Sequence, residues 1–313
     1  MCGIAGIIHR DGPSDIGLEM TRMLQAMKHR GPDSTGFALY GTPGGAGQLV
    51  MRVKLADANS PRDFGFAERL EQHRIELEQR LDKIGAVVDR VEGATEYAYR
   101  AVLHYDGDLK ALTDYVEDIP DCEVLSLGSS LEIVKDLGDA ETVAKLYNLG
   151  AFHGTHAIGH ARMATESDVD ISGAHPYWAY PFSDIAVVHN GQLTNYHQWR
   201  RRLERLGHRF QSECDSEIIA VYIAEKRAEG MSLEAAMKQS LLDLDGVFTY
   251  VVVTEDALGV AKDEMAAKPL VLYQSEDGNT VILASEEVAI RSVVGREIDT
   301  TDPYESEVLV WTL

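Results

Sequence analysis

The chain has 313 residues, a formal net charge of −22 and 45% hydrophobic side chains. That length suits one large domain or two smaller ones, and the apolar share supports a packed core, which excludes global disorder. With 51 acidic against 29 basic residues there is no cationic surplus to neutralise phosphate, so neither nucleic acid nor an anionic membrane is an expected partner. Residues 4–8 (IAGII) predict a short buried strand, ended by Asp11-Gly12-Pro13. Ile16, Met20, Met23, Leu24 and Met27 recur at helical spacing and predict an amphipathic helix over 15–29, stopped before Pro32. A strand follows at 36–40, and the Gly-rich run 42–47 marks a boundary. The next pattern is strand 48–55, polar-faced helix 63–84, strands 86–91 and 96–105 joined as a hairpin, helix 107–116, and strand segments 122–127 and 131–134. This β-α-β-β-α-β order predicts a ferredoxin-like subdomain inserted at 42–137. A short helix at 139–149 leads to strands 155–161 and 185–188 and to helices 195–206, 216–229 and 233–242. Strands at 246–254, 258–262, 270–274, 280–285 and 306–311 complete the chain. Strands in runs and helices in runs indicate an α+β fold.

Cys2, Cys122 and Cys214 are too few and too scattered for a disulfide framework or a CxxC metal site, so no metal is expected and a reducing cytoplasm is the expected compartment. No run of about 18 apolar residues predicts a membrane span, and MCGIAGIIHRDG lacks the charged leader and apolar stretch of a signal peptide.

Cys2 stands directly after the initiator Met and before Gly3, a context suited to methionine removal. Removal leaves a thiol and an α-amine on one residue. An α-amine titrates near about 7.7–8.0, so at neutral pH a fraction is free to act as base for its own thiol. Gly159-His160-Ala161-Arg162-Met163-Ala164-Thr165 places a guanidinium just beyond a strand, and its fork suits an α-carboxylate. In His189-Asn190-Gly191-Gln192-Leu193-Thr194-Asn195, placed between a strand and a helix, the Asn190 amide and the Gly191 N–H can converge on one developing oxyanion. Asp215, in Cys214-Asp215-Ser216-Glu217, opens a helix. Each has a plain structural alternative. Cys2 can be packing, Arg162 a surface ion pair, Asn190-Gly191 a turn, and Asp215 an N-cap or an ammonium ligand.

Taken in order, MCGIAG, HRGPDSTG (29–36), GHARMAT, His175-Pro176, HNGQLTN and CDSE resemble the class II glutamine amidotransferases, which are N-terminal-nucleophile hydrolases. Ala261-Lys262-Asp263, Lys268-Pro269-Leu270 and Ala284-Ser285-Glu286 are similar to that family's C-terminal motifs. The resemblance covers 1–41 and about 150–313, and implies a four-layer αββα fold over 1–41 and 138–313. It implies that Cys2 attacks the side-chain amide of L-glutamine. Asn190 and Gly191 would form the oxyanion hole, Arg162 would hold the substrate carboxylate with Thr165 beside it, and Asp215 would hold the ammonium. His175 and Arg30 would support the site. The departures are Cys214 where relatives often carry Thr or Ser, Met163 where many carry Tyr or Trp, Glu166 where several carry Ser or His, and Lys268 in place of Arg.

The chain reaches Leu313 without residues for a synthase domain, and Gly44-Gly45-Ala46-Gly47 lacks the GK[ST] ending of a P-loop. The acceptor of ammonia is therefore expected on another polypeptide. The chain also resembles stand-alone glutaminase subunits of glutamate-synthase-like complexes, including the first subunit of N-methylglutamate synthase. That resemblance implies a hetero-oligomer whose partners, not this chain, carry FMN and an iron–sulfur cluster, with the 42–137 insertion as a docking module or a decoration. Two other readings stay open at this level. One is a glutaminase-fold subunit without catalysis. The other is an N-terminal-nucleophile amidase for apolar acyl groups, which would have no use for two polar clamps.

Overall fold

The computed structural model describes residues 2–56, 64–163, 171–295 and 297–313. In chain order the elements are β1 (Gly3–His9), α1 (Ile16–Ala26), β2 (Ser34–Tyr40), β3 (Gln48–Lys54), α2 (Phe66–Ile84), β4 (Val87–Glu92), β5 (Ala98–His104), α3 (Leu109–Glu117) and β6 (Glu123–Gly128). Then come β7 (Leu131–Leu137), α4 (Ala140–Leu146), β8 (His156–Arg162), β9 (Tyr177–Trp178), β10 (Ala186–Leu193), α5 (Tyr196–Arg205), α6 (Asp215–Ala228) and α7 (Leu233–Asp243). The last are β11 (Gly246–Thr254), β12 (Ala257–Lys262), β13 (Val271–Gln274), β14 (Thr280–Ala284), α8 (Glu287–Val294) and β15 (Val308–Thr312).

Two sheets face each other. One runs β13-β14-β1-β8-β2-β7, the other β15-β12-β11-β10-β9. The alternation along β1 explains why IAGII is apolar throughout. Ile4 and Ile8 point into the core between the sheets, with Val188, Val251 and Leu258 from the opposite side. Ala5 and Ile7 point the other way, onto Ile16, Met20, Met23 and Leu24 of α1. A strand covered on both faces needs no polar residue. β10 and β11 behave alike, with Val188 and Val251 inward and Val187, Phe248 and Val252 against α6 and α7. Each fully buried Ile or Val contributes about 1.5–3 kcal/mol relative to exposure. The result is helices, sheet, sheet and helices in four layers. Among the described residues no helix is long and apolar enough to cross a membrane.

The segment from β3 to β6 forms its own antiparallel sheet in the order β4-β5-β3-β6. Met51, Val53, Ala101 and Leu103 face Leu77 and Leu81 of α2 and Leu112 and Val116 of α3. The opposite face is charged, and it meets the six-stranded sheet through Arg52 and Arg100 on Glu132 of β7 (each 2.7 Å) and through Glu123, paired within the insert with Lys54 (2.7 Å), on Lys135 of β7 (3.4 Å).

Three sequence expectations change. The insertion was expected to run to 137, but β7 pairs with β2 over its whole length and belongs to the six-stranded sheet. The cause is distant. Asp184 accepts the N–H groups of Ser129 (2.9 Å), Ser130 (2.9 Å) and Leu131 (2.8 Å) and turns the chain off the small sheet. Second, β10 continues through His189-Asn190-Gly191 to Leu193, so this motif lies in a strand rather than between strand and helix. Third, β9 and α8 were not anticipated. β9 is only two residues long, and α8 is a helix of β-branched composition held by burying Ala289 and Ile290.

Several buried ionisable groups limit acid stability. Burial alone would raise the Glu123 carboxyl, but Lys135 and Lys54 outweigh it and hold it at about 2. Burial lowers His160 to about 3 and His156 to about 4, so both are neutral in the fold. All three bind protons more readily when unfolded, so their stabilisation is present above the unfolded values and is lost on acidification. We expect the unfolding midpoint in urea to fall as pH drops through about 6.5 to 3, and Glu123→Gln to flatten the part below about pH 4.5. A midpoint constant from pH 7 to 3 would contradict these environments.

Candidate active site

Cys2 lies at the mouth of β1, between β8 and β14. The ladder pairs Gly3 with Ala161 and Ala5 with Ala284. Ser285 clamps Ile4 from both sides: the Ile4 N–H donates to Ser285 Oγ and the Ser285 N–H donates to the Ile4 carbonyl, each at 2.9 Å. The Cys2 carbonyl accepts from Arg30 Nε at 3.0 Å and from Asn190 Nδ2 at 3.3 Å. Arg30 is buried and is neutralised by Glu286 at 2.6 Å, which also meets His29 Nε2 at 3.0 Å. A buried guanidinium needs such a partner, and the pair makes Arg30 a rigid post under Cys2. Gly31 has its own reason to be glycine. A Cβ there would sit 2.4 Å from the Arg162 carbonyl carbon. The Asp33 N–H then donates to the Arg162 carbonyl at 3.1 Å, so the 29–36 motif fixes the end of β8 that carries Arg162.

The facing sheet supplies the rest. Gly191 has φ +144, and a Cβ would meet the Val247 carbonyl at 2.1 Å, so only glycine fits this strand position. β11 is held behind it by the Asp263 N–H on the Phe248 carbonyl (3.1 Å) and by Thr249 Oγ1 on the Lys268 carbonyl (3.3 Å). Asp215 Oδ2 accepts the Leu193 N–H at 2.7 Å, and Oδ1 lies 3.5 Å from His189 Nδ1. Burial would raise this carboxyl, but His189 and the Leu193 N–H outweigh it and keep its pKa below the usual carboxylate range. Ser216 Oγ sits between His175 Nε2 (2.6 Å) and His189 Nδ1 (2.8 Å), and His160 stacks on His175 at 4.1 Å. Burial drives the pKa of His175 well down, so it is a neutral, hydrogen-bonding wall. Among the described residues no group of three or more His, Cys, Asp or Glu is arranged to hold a metal ion. Asn190 thus meets Cys2 through the Cys2 carbonyl, while the Asp215 carboxylate is tied to Leu193 and His189.

A model of the glutamine amidotransferase domain matches residues 160–292. A Methanothermobacter thermautotrophicus protein named "Putative glutamine amidotransferase" is 41% identical, over 98% of this chain and 99% of its own length. The chain belongs to the class II glutamine amidotransferase family. The Rhizobium meliloti glutamine amidotransferase-like protein GlxB is 36% identical over 88% of this chain and 87% of its own. Staphylococcus aureus amidophosphoribosyltransferase is 42% identical over half of this chain, which spans only 31% of that enzyme. Among solved structures, the glutamine PRPP amidotransferase of B. subtilis, complexed with ADP and GMP, aligns with a TM-score of 0.61 at 20% identity. It covers 99% of this chain, which spans 47% of that one, and the likeness is one of fold.

In this amidotransferase fold Cys2, Arg30 and Asn190 meet directly, and Gly191 adjoins them along β10. Arg162 ends β8 one residue past the partner of Gly3. Asp215 and His175 join through Leu193, His189 and Ser216 rather than through Cys2. Thr165 and Glu166 lie outside the described residues. Cys214 precedes α6, and burial and then Asp215 push its thiol pKa up, as expected of a packed thiol. Sequence reasoning missed the roles of Ser285 and Glu286, although their motif was visible, and missed the His160-His175-Ser216-His189 cluster. Its members stand in four separate segments that only packing joins.

Proposed function

We propose that the chain is a glutamine amidotransferase subunit that hydrolyses L-glutamine to glutamate and ammonia and passes the ammonia to a synthase on another polypeptide. The observation that carries this reading is the Asn190 amide reaching across from the facing sheet to the Cys2 backbone carbonyl at 3.3 Å, which brings that donor beside the nucleophile's residue. After loss of Met1, the Cys2 amine takes the thiol proton, and the thiolate attacks the substrate's side-chain carbonyl carbon. The negative oxygen that forms is met by Asn190 Nδ2 and the Gly191 N–H. The C–N bond then breaks, ammonia leaves with the proton held by the amine, and water, deprotonated by the same amine, hydrolyses the γ-glutamyl thioester. Arg162 pairs with the substrate carboxylate and Asp215 with its ammonium, with Thr165 beside the carboxylate. His175 and Arg30 support the site. The ionised state of Asp215 supports its part.

The reading extends to a cytoplasmic hetero-oligomer. The synthase partners would resemble the domains of glutamate synthase and would carry FMN and an iron–sulfur cluster. The β-α-β-β-α-β order and the β4-β5-β3-β6 arrangement support a ferredoxin-like assignment for the insert.

A glutamine-mimicking diazo ketone should add once, to the peptide beginning at Cys2, with intact mass showing Met1 absent. Labelling elsewhere, or Met1 retained in the native protein, would overturn the mechanism. Asn190→Ala should lower kcat about 10²–10³-fold with little change in KM, because its donor matters most when the oxyanion forms. Co-purification with a partner showing flavin and iron–sulfur absorbance tests the synthase assignment.

A further inference from the structure

The insert, now bounded as 48–128, touches both segments that deliver the inner wall of the site. On one side, Ser172 Oγ is 2.8 Å from both Lys54 Nζ and Glu123 Oε2, and Glu123 also meets Lys135 at 3.4 Å. All three charged side chains are buried. Lys135 Nζ lies 5.2 Å from the Tyr177 ring, whose edge packs on His175, the residue bonded to Ser216. On the other side, α3 projects Asp114 and Glu117 onto the 207–214 loop. Arg209 Nε meets Asp114 at 2.7 Å, its guanidinium also pairs with Glu117, and it lies 4.3 Å from the Tyr180 ring. Gln211 bonds Glu117 through its side chain, while its backbone N–H donates to Glu217 of α6 at 2.9 Å. Three residues after Gln211 the chain enters Cys214-Asp215.

A decoration would need no such contacts with these two segments: the Lys54, Glu123 and Lys135 charges that Ser172 joins are buried, and a buried charge costs desolvation unless it is fully paired. We propose that the insert is a brace for the amino-acid clamp: Lys54, Glu123, Asp114 and Glu117 are positioning residues that set the affinity for glutamine by holding 172–180 and 209–215. This rests on the glutaminase reading and adds how that site is regulated, because a partner that shifts the insert shifts the clamp. A clamp on the substrate's ammonium binds ground state and transition state alike, so loosening it raises KM and spares kcat.

The test uses the full chain. The double variant Glu117→Gln/Arg209→Met removes the pair without stranding a buried charge. It should raise the KM for glutamine about tenfold, keep kcat within about twofold, and speed hydrogen exchange in 172–180 and 209–217. Unchanged KM in a folded variant, or unchanged exchange in both segments, overturns the brace while leaving the glutaminase intact. If the double variant does not fold, Lys54→Met against Lys54→Arg decides: the brace requires Met to raise KM and Arg to restore it, and equal KM values overturn it. Wild-type protein that releases no glutamate and takes no diazo ketone on Cys2 overturns the glutaminase reading itself, and the brace with it.

Discussion

Cys2→Ala should reduce glutamate release from glutamine by at least about 10⁴-fold while leaving the melting temperature unchanged. The kinetic loss follows because the thiolate is the only group proposed to form the covalent intermediate, and removing a nucleophile leaves only binding and oxyanion stabilisation. The fold is spared because the contacts that hold this residue run through its backbone. Its carbonyl still accepts from Arg30 and Asn190, and Ile4, two residues on, is still clamped by Ser285. Cys2→Ser keeps the amine and a weaker nucleophile and should fall between the two. Hydrolysis persisting at the wild-type rate in the alanine variant would remove the glutaminase reading.

Gly191→Ala should abolish activity for a different reason and should cost stability as well. The new methyl group would sit 2.1 Å from the Val247 carbonyl at φ +144, so β10 and β11 must part where Gly191 faces Phe248. Moving Asn190 by even about 1 Å is worth on the order of 10²-fold in rate. The positive φ adds strain of about 1–3 kcal/mol, which a thermal melt would register. Gly45→Ala is the matched control, since a Cβ there meets nothing within 4 Å. Its kinetics and melt should be those of wild type. Full activity in Gly191→Ala would mean that the backbone at this strand is not part of the oxyanion site.

Much of this arrangement is legible in one dimension. The helices 196–205, 215–228 and 233–243 and the strands from 246 onward follow from periodicity, because each buries one face or both against a neighbouring layer. Cys2, Arg162, Asn190-Gly191 and Asp215 stand out only through the order of the motifs that carry them, because each read alone has a plain structural alternative. α8 escapes the same reading, because Val and Ile at 288, 290, 293 and 294 carry no strong helical signal until α1 and the first sheet supply something to bury against.

The sequence by itself determined the layered α+β class, the order of elements in the insert and the candidate nucleophile, since these depend on local composition and spacing. Only the tertiary structure decided where the insert ends, because Asp184, more than fifty residues away, captures the turn before β7. Only it joined Glu286 to Arg30 across 256 positions and stacked His160 on His175 beside Ser216. Contacts between distant segments leave no periodic trace in the chain. They arise when two buried polar groups must find each other or pay the desolvation of remaining alone.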